Sequence, residues 1–233
     1  MEGVARWGGA SVVRVESVQG TSLYAARGQW MLEREVLPDM QALVRETAAR
    51  GYEQLRLGAW PEALYVEAKT RLESEGWAEE GTPFDCYDLW KAPHAAAPVA
   101  LPAGYKRVRL SAADAEHVNR HWELGQGADT LPTVLECIAE RPCAAVAEEA
   151  SGEVVAWALT RHDSSIGAVT VLPQHRRMGL GSFCVAALVQ ELSGKTMVLI
   201  DHANEASRTM HAKLGFVNTG KRFAWARFKK LET

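Results

Sequence analysis

A strand, a glycine-containing turn and a helix follow one another directly in the run VTVLPQHRRMGLGSF, residues 169–183. The alternating apolar residues before Pro173 predict a strand, and the apolar-faced run that begins at Gly179 predicts a helix. At the junction, Arg176, Gly179 and Gly181 have the spacing R-x-x-G-x-G. The turn therefore lies directly between a predicted strand and a predicted helix.

The junction also has the chemistry of a phosphate-binding turn. Glycine has no Cβ, so the backbone can approach an anion closely at such positions. The amide N–H groups of the first helical turn lack partners inside the helix and point toward the anion, and the helix dipole adds to the attraction. Arginines beside the turn supply positive charge. The residues predicted to line the phosphate site are Arg176, Arg177, Met178, Gly179, Leu180, Gly181 and Ser182.

Other phosphate-binding turns fit this run less well. The run has neither the GxGxxG of dinucleotide-binding folds nor the GK[ST] of a P-loop. Taken alone, a GxG with two arginines is equally typical of an ordinary helix start. The strand before the arginines and the long helix after the glycines favour phosphate binding.

The rest of the C-terminal half alternates between short strands and helices. The patterns predict strands in KRVRL, CAAVAEE, EVVAWALTR, IGAVTV, TMVLID and RFAWARFK. They predict helices in SAADAEHVNRHWELG (with Ser111 as its N-cap), TVLECIAERP, GLGSFCVAALVQEL and EASRTMHAKLG. This order predicts an α+β layout, in which a mixed sheet is flanked by helices.

Two patterned regions are separated by KAPHAAAPVALPAG, residues 91–104, which contains three prolines and many small residues. That composition is typical of an exposed linker. A chain of 233 residues is long enough for two small domains. The predicted division is an N-terminal domain at 1–92, a linker at 93–103 and a C-terminal domain at 104–233.

An internal repeat relates the two regions. The run ALVRETAARGYEQLRLGAWPEA, residues 42–63, aligns with ALVQELSGKTMVLIDHANEA, residues 187–206, when the first copy carries two extra residues. Each run is followed by a predicted helix that ends in a glycine and an aromatic residue, Gly76-Trp77 and Gly215-Phe216. The repeat predicts two related folds in tandem, each a mixed, mostly antiparallel sheet flanked by helices.

The C-terminal half resembles the GNAT superfamily of N-acyltransferases. The run V-x-P-x-x-R-x-x-G-x-G and the later NEASRTMHAKLGF are similar to its motifs A and B, with Asn204, Lys213, Gly215 and Phe216 at the N…K-x-GF positions. More narrowly, HVNRHWELGQG, CIAERPCAAV, LPQHRRMGLG and DHANEAS resemble segments of the glycine N-acyltransferase family. That family pairs a degenerate N-terminal GNAT-like half with a catalytic C-terminal half, as the repeat here suggests.

The resemblance implies an enzyme that uses acyl-CoA or acetyl-CoA as co-substrate and needs no metal. Backbone groups of the strand before the turn, at Val169, Thr170 and Val171, would contact the pantetheine arm and the acyl carbonyl. Asn204 and Ser207 would lie at the cofactor as well. The N-terminal half has no R-x-x-G-x-G and is not expected to bind CoA.

The implied reaction transfers an acyl group from acyl-CoA to the amino group of glycine or a similar small amine. Two alternatives stay open: acetylation of a polyamine or a protein lysine, and a catalytically inactive acyl-CoA-binding regulatory module. The second alternative has a specific basis. The related family has a Glu that resembles a general base, and counting back from the turn places Ser165 at that position.

Other residues could transfer the protons. His162 and Asp163 are on the same predicted turn as Ser165, Glu123 is a further candidate base, and an imidazole pKa near about 6.5 suits a base. Many GNAT enzymes place a Tyr as proton donor on the last helix, where this chain has His211. Each of these residues is also compatible with an ordinary loop or helix position.

Charge and composition exclude several other classes. The net charge of −3 is unlike that of a nucleic-acid-binding protein, and no apolar run approaches the length of about 20 residues that spans a membrane. The four cysteines show no metal-ligand spacing and predict small buried thiols. We expect a monomer or homodimer in the cytoplasm, with the mitochondrial matrix as the alternative because arginines and serines occur near the N-terminus.

Overall fold

The protein's structure, a computed structural model, describes residues 4–7, 10–16, 22–26, 29–32, 54–94, 96–122, 130–161, 165–192 and 196–231. These residues form two compact units. The first unit comprises residues 1–88 together with 220–233, and the second comprises residues 89–219.

The first unit contains a sheet and one described helix. Its strand order is β1-β2-β3-β4-β5-β12-β6. The elements are β1 (Val4–Trp7), β2 (Ala10–Glu16), β3 (Ser22–Ala26), β4 (Gln29–Leu32), β5 (Gln54–Pro61), α1 (Glu62–Ser74), β6 (Trp77–Lys91) and the C-terminal β12 (Val217–Lys230).

The second unit contains five further strands in the order β11-β10-β9-β8-β7. The elements are β7 (Tyr105–Val108), α2 (Ala115–His121), α3 (Leu131–Glu140), β8 (Cys143–Glu148), β9 (Val154–Thr160), β10 (Ile166–Val171), α4 (Leu180–Glu191), β11 (Met197–Asp201) and α5 (Glu205–Lys213). A 3₁₀ turn at Ala112–Asp114 precedes α2, and Asp114 accepts hydrogen bonds from the backbone and hydroxyl of Ser111, the predicted N-cap.

Both units repeat one topology. In each, four successive strands pair antiparallel, and the fourth pairs parallel with a fifth: β4 with β5, and β10 with β11. A helix follows each fifth strand directly, and a long strand follows that helix. The predicted fold class, two tandem α+β halves with mixed, mostly antiparallel sheets flanked by helices, is confirmed.

The last strand groups with the first unit. β12 pairs antiparallel with β5 from Phe223 opposite Pro61 to Lys229 opposite Gln54, and Phe228 is fully buried. Residues 220–233, which the predicted division places in the C-terminal domain, therefore belong to the first compact unit. The composition of the linker could not predict where β12 belongs. The pairing partners of β12 lie more than 150 positions earlier in the sequence, and local composition does not identify them.

Helix α4 builds the core of the second unit. Leu180, Cys184 and Leu188 are spaced by four residues, so they lie on one helix face, and all three are buried. The helix packs on β8, β9 and β10. Burial raises the pKa of the Cys184 thiol to about 12, so Cys184 acts as a small apolar residue, as its apolar neighbours predict. None of the helices in the described part of the chain is long and apolar enough to span a membrane.

The place of β12 can be tested with Phe228→Ala. Removing a fully buried phenylalanine side chain should lower the free energy of unfolding by about 3–5 kcal/mol, measured by urea denaturation. Leu231→Ala is the matched control, because Leu231 is 53% exposed and its loss should change stability by less than about 0.5 kcal/mol. Equal and small losses in both variants would contradict the burial of β12.

Candidate functional site

Strand β10 is distorted in its middle. Its pairing with β9 shifts register between Gly167 and Thr170, and Ala168 has a φ of 50°, in the left-handed region that residues with a side chain rarely adopt. The hydroxyl of Thr170 donates a hydrogen bond to the carbonyl oxygen of Ala168 at 3.2 Å. A hydrogen bond within β10 therefore stabilises the bulge. The bulge turns the backbone away from regular sheet geometry.

At the bulge, the described pairing between β10 and β11 ends. β10 lies between β9 and β11, yet its described pairing with β11 is a single position, Ile166 opposite Val198. From Gly167 to Val171 every residue of β10 is half-buried, although Ile166 is buried. The backbone groups of β10 that face β11 beyond Ile166 therefore have no strand partner in the described sheet, and we call this half-buried edge, residues 167–171, the β10 groove. This groove contains the predicted contact residues Val169, Thr170 and Val171.

At the end of β10 the chain makes a tight turn into α4. A 3₁₀ turn at Pro173–His175 follows the strand, and Arg177 and Gly179 have φ values of 66° and 81°. Gly179 is the N-cap of α4, and the amide of Phe183 donates the first intrahelical hydrogen bond to its carbonyl at 2.9 Å. The left-handed φ at Arg177 costs free energy, and strain of this kind is typical of functional turns.

The first turn of α4 presents amides to the groove end. The N–H groups of the N-cap and the first three residues of a helix have no intrahelical partner. In α4 these are the amides of Gly179, Leu180, Gly181 and Ser182, since Phe183 already makes the first intrahelical hydrogen bond. These amides and the positive end of the helix dipole form an anion-binding position.

The two glycines of the turn are needed for different reasons. A Cβ on Gly179 would meet nothing within 4 Å, so this position requires glycine for its φ of 81° and not for space. A Cβ on Gly181 would lie 3.3 Å from Cγ2 of Val171 and 3.4 Å from the sulfur of Met210. Gly181 therefore lets α4 pack closely on β10 and α5. The expectation that a Cβ at either glycine would obstruct a bound pyrophosphate stays a prediction.

Two arginines flank the amides. The Nε of Arg176 donates to the carbonyl of Val171 at 3.2 Å, which fixes the side chain beside the end of β10. Arg176 and Arg177 are both exposed, so their charges are available to an anion at the turn. Met178 is also 48% exposed, whereas the side chain of Leu180 is buried and only its amide can contribute.

A residue from β7 supports the turn, which the sequence patterns did not predict. The hydroxyl of Tyr105 lies 2.8 Å from Nδ1 of His175 and 3.1 Å from the sulfur of Met178. The rings of Tyr105 and His175 meet edge to face at 5.7 Å. The contact joins residues 70 positions apart, so no local signal could have identified it.

The predicted residues on α5 have structural roles. Asn204 is the N-cap of α5, and its side-chain oxygen accepts a hydrogen bond from the amide of Ser207 at 2.9 Å. An Asn N-cap stabilises a helix by about 1 kcal/mol. Asn204 is exposed and Ser207 is half-buried.

His211, the predicted proton donor, is only 1% exposed. Its Nδ1 lies 2.8 Å from the carbonyl oxygen of Ser207, and because a carbonyl only accepts, Nδ1 carries the proton. Its Nε2 is buried and has no hydrogen-bond partner among the described atoms, while the ring meets Phe216 edge to face. Burial lowers the pKa of His211. In this neutral form Nε2 can accept a hydrogen bond but has no proton to give.

The predicted base candidates cannot be located. His162, Asp163 and Glu123 lie outside the described residues. Ser165 is described and is 1% exposed, with its carbonyl accepting a hydrogen bond from the amide of Arg161 at 2.8 Å. In the described ranges no group of three or more His, Cys, Asp or Glu side chains could hold a metal ion.

Comparisons with known proteins agree with this geometry. Residues 145–226 match the family model described as FR47-like protein. No curated protein matches the chain.

Solved structures share the fold across both units. A Drosophila protein of a structural genomics programme is 21% identical with a TM-score of 0.74, covering 91% of this chain and 74% of its own. A tandem GNAT protein from the clavulanic acid biosynthesis pathway is 16% identical with a TM-score of 0.59, covering 99% and 82%. A GCN5-related N-acetyltransferase from Kribbella flavida is 16% identical with a TM-score of 0.59, covering 94% and 90%. The chain therefore has the fold of tandem GNAT proteins.

The buried, neutral His211 predicts a pH dependence of stability. Because burial lowers the pKa of His211 in the folded protein, the unfolded chain binds a proton more readily, near its usual pKa of about 6.5. The neutral, buried His211 therefore contributes fully to the free energy of unfolding above about pH 6.5. Below that pH the free energy of unfolding decreases, with a slope of at most about 1.4 kcal/mol per pH unit.

The measurement compares urea denaturation at pH 7.5 and pH 5.5. His211→Phe, which cannot titrate, should lose less stability between these pH values than the wild type does. His94→Asn is the matched control, because His94 is exposed and should leave the wild-type pH dependence unchanged. An unchanged pH dependence in His211→Phe would show that the ring is not held neutral by burial.

Proposed function

We propose that this chain is an acyl-CoA-dependent N-acyltransferase that transfers an acyl group to the amino group of glycine or a similar small amine. The observation that supports it is the succession of two features along the chain: the half-buried edge of β10 without a described strand partner, and then the free amides and the exposed arginines at the start of α4. A long ligand with an anionic end and a neutral arm fits such a succession, and coenzyme A has both.

The residues present fit coenzyme A. The amides of Gly179, Gly181 and Ser182, with Arg176 and Arg177, would hold the pyrophosphate. The backbone of β10 at Val169–Val171 would hold the pantetheine arm, because its groups facing β11 beyond Ile166 are unpaired in the described sheet. The bound thioester supplies an activated acyl group.

The groups on β10 would then act on the reacting carbonyl. Backbone N–H donors fixed by the bulge can stabilise negative charge on an acyl oxygen without reorganising. In the transfer, a C–N bond forms, the C–S bond breaks, and the two protons lost by the acceptor ammonium go one to a base and one to the departing sulfur. His162 or Asp163, which lie between β9 and β10 in the sequence, is proposed as that base.

Two other functions remain compatible with parts of the site. An acceptor such as a polyamine or a protein lysine requires the same groove and the same amides. A regulatory module that binds acyl-CoA without turnover would also retain them, and the buried Ser165 in place of the family's Glu favours that alternative. Turnover with defined amines separates these functions.

Coenzyme A should stabilise the protein through the turn at Gly179. Ligand at 100 times its Kd adds about 2.7 kcal/mol of stability, which thermal unfolding would detect. Gly179→Val should lose this stabilisation, because valine strongly disfavours the φ of 81°, yet should still fold because there is open space around the position. Calorimetry of the wild type should give one binding site per chain.

The matched control is Gly179→Asn, because asparagine tolerates the left-handed region and should retain most of the stabilisation. Full stabilisation of Gly179→Val by coenzyme A would show that the turn does not hold the phosphates. Two equivalent sites per chain would show that the first unit binds coenzyme A as well.

The proposed base predicts the pH dependence of transfer. An amine with a pKa above about 9 is almost fully protonated at pH 7, so the rate should rise with pH as the base loses its proton. In His162→Ala that rise should disappear and the rate should fall by about 10²-fold or more. If His162→Ala and Asp163→Asn both keep the wild-type rate and profile, the base lies elsewhere, and Glu123→Gln is the next variant to measure.

A further inference from the structure

Arg161 lies beside the start of β10, the strand to which we assign the acyl carbonyl. β9 ends at Thr160, and the amide of Arg161 donates to the carbonyl of Ser165 to close the turn into β10. The Arg161 side chain then folds back over Gly167, where a Cβ would lie 2.9 Å from its Cδ and 3.6 Å from its Nε. Gly167 thus provides the space that the half-buried arginine occupies.

The pairing of β9 with β10 shows which face of the sheet carries this arginine. Gly167 is opposite Leu159, and side chains alternate along a strand, so Arg161 and Gly167 share the face of Trp157. On that face the ring of Trp157 meets His117 of α2 edge to face at 5.5 Å. Burial raises the pKa of Cys137 in α3 to about 11, and the positive charge of Arg161 offsets part of the rise.

The position of Arg161 beside β10 affects which acceptors can bind. Gly167 precedes Val169 by two residues along β10. Val169 begins the backbone segment that we assign to the acyl carbonyl, so the side chain of Arg161 lies beside the strand that the acceptor nitrogen must approach. A like charge opposes a diamine or a lysine-bearing peptide, whereas a carboxylate on the acceptor would be attracted.

We propose that Arg161 binds the carboxylate of the acceptor and restricts the enzyme to short amino acids. In an α-amino acid the nitrogen and the carboxylate carbon are about 2.5 Å apart, so a carboxylate held by Arg161 places the nitrogen toward Val169. The guanidinium has five N–H donors, so it can serve a protein neighbour and a carboxylate together. This inference rests on the proposed acyl transfer and names its substrate class.

The test compares glycine with glycinamide, which has the same amine and no carboxylate. In Arg161→Gln, kcat/KM should fall by about 10- to 100-fold for glycine and by less than about threefold for glycinamide. Arg161→Lys should be intermediate, because lysine retains the charge without the planar fork. Gly167→Ala, whose Cβ displaces the arginine, should cause the same selective loss for glycine.

Arg109→Gln is the matched control, because Arg109 is an exposed arginine after β7 and its loss should change neither acceptor. Coenzyme A binding and thermal stability should be equal in all these variants. Equal losses for glycine and glycinamide in Arg161→Gln, or turnover of glycinamide and diamines alone, would overturn the carboxylate site while leaving acyl transfer in place. Coenzyme A binding with no turnover of any amine would overturn the proposed function, and this inference with it.

Discussion

The candidate site depends on backbone hydrogen bonds that the fold leaves unmade. In a regular sheet β10 would pair with both neighbours along its length, but the bulge at Ala168 ends its described pairing with β11 after Ile166. A few residues later the start of α4 presents four amides without intrahelical partners. Unpaired backbone groups are costly when fully buried, and the residues of β10 that carry them, Gly167 to Val171, are only half-buried. The structure thereby keeps a line of donors available to a ligand.

Rigidity around this line comes from side chains on several elements. Met210 of α5 and Val171 of β10 pack closely around Gly181. The hydroxyl of Tyr105 in β7 is hydrogen-bonded to His175 in the turn. The hydroxyl of Thr170 fixes the bulge itself. Donors held in place before a ligand arrives bind it without the entropic cost of ordering a loop. The site is therefore a property of the whole second unit and not of one motif.

Much of this could be predicted from the sequence where the cause is local. The strand before Pro173, the helix that begins at Gly179 and the repeated layout of strands and helices follow from hydrophobic periodicity and from the positions of glycine and proline. Contacts between distant residues could not be predicted. The support of Tyr105 for the turn, the packing of Arg161 over Gly167 and the burial of His211 all depend on which strands become neighbours, and a single sequence does not state that pairing.

The pairing of β12 with β5 has a consequence for synthesis on the ribosome. N-terminal domains generally fold first, while the rest of the chain is still being made. Here the described antiparallel partner of β5 is supplied by residues 223–229. The first unit therefore cannot complete its sheet until those residues have been synthesised, although the second unit has strands β7 to β11 by Asp201. In this protein the unit whose synthesis begins first is the unit that completes its sheet last.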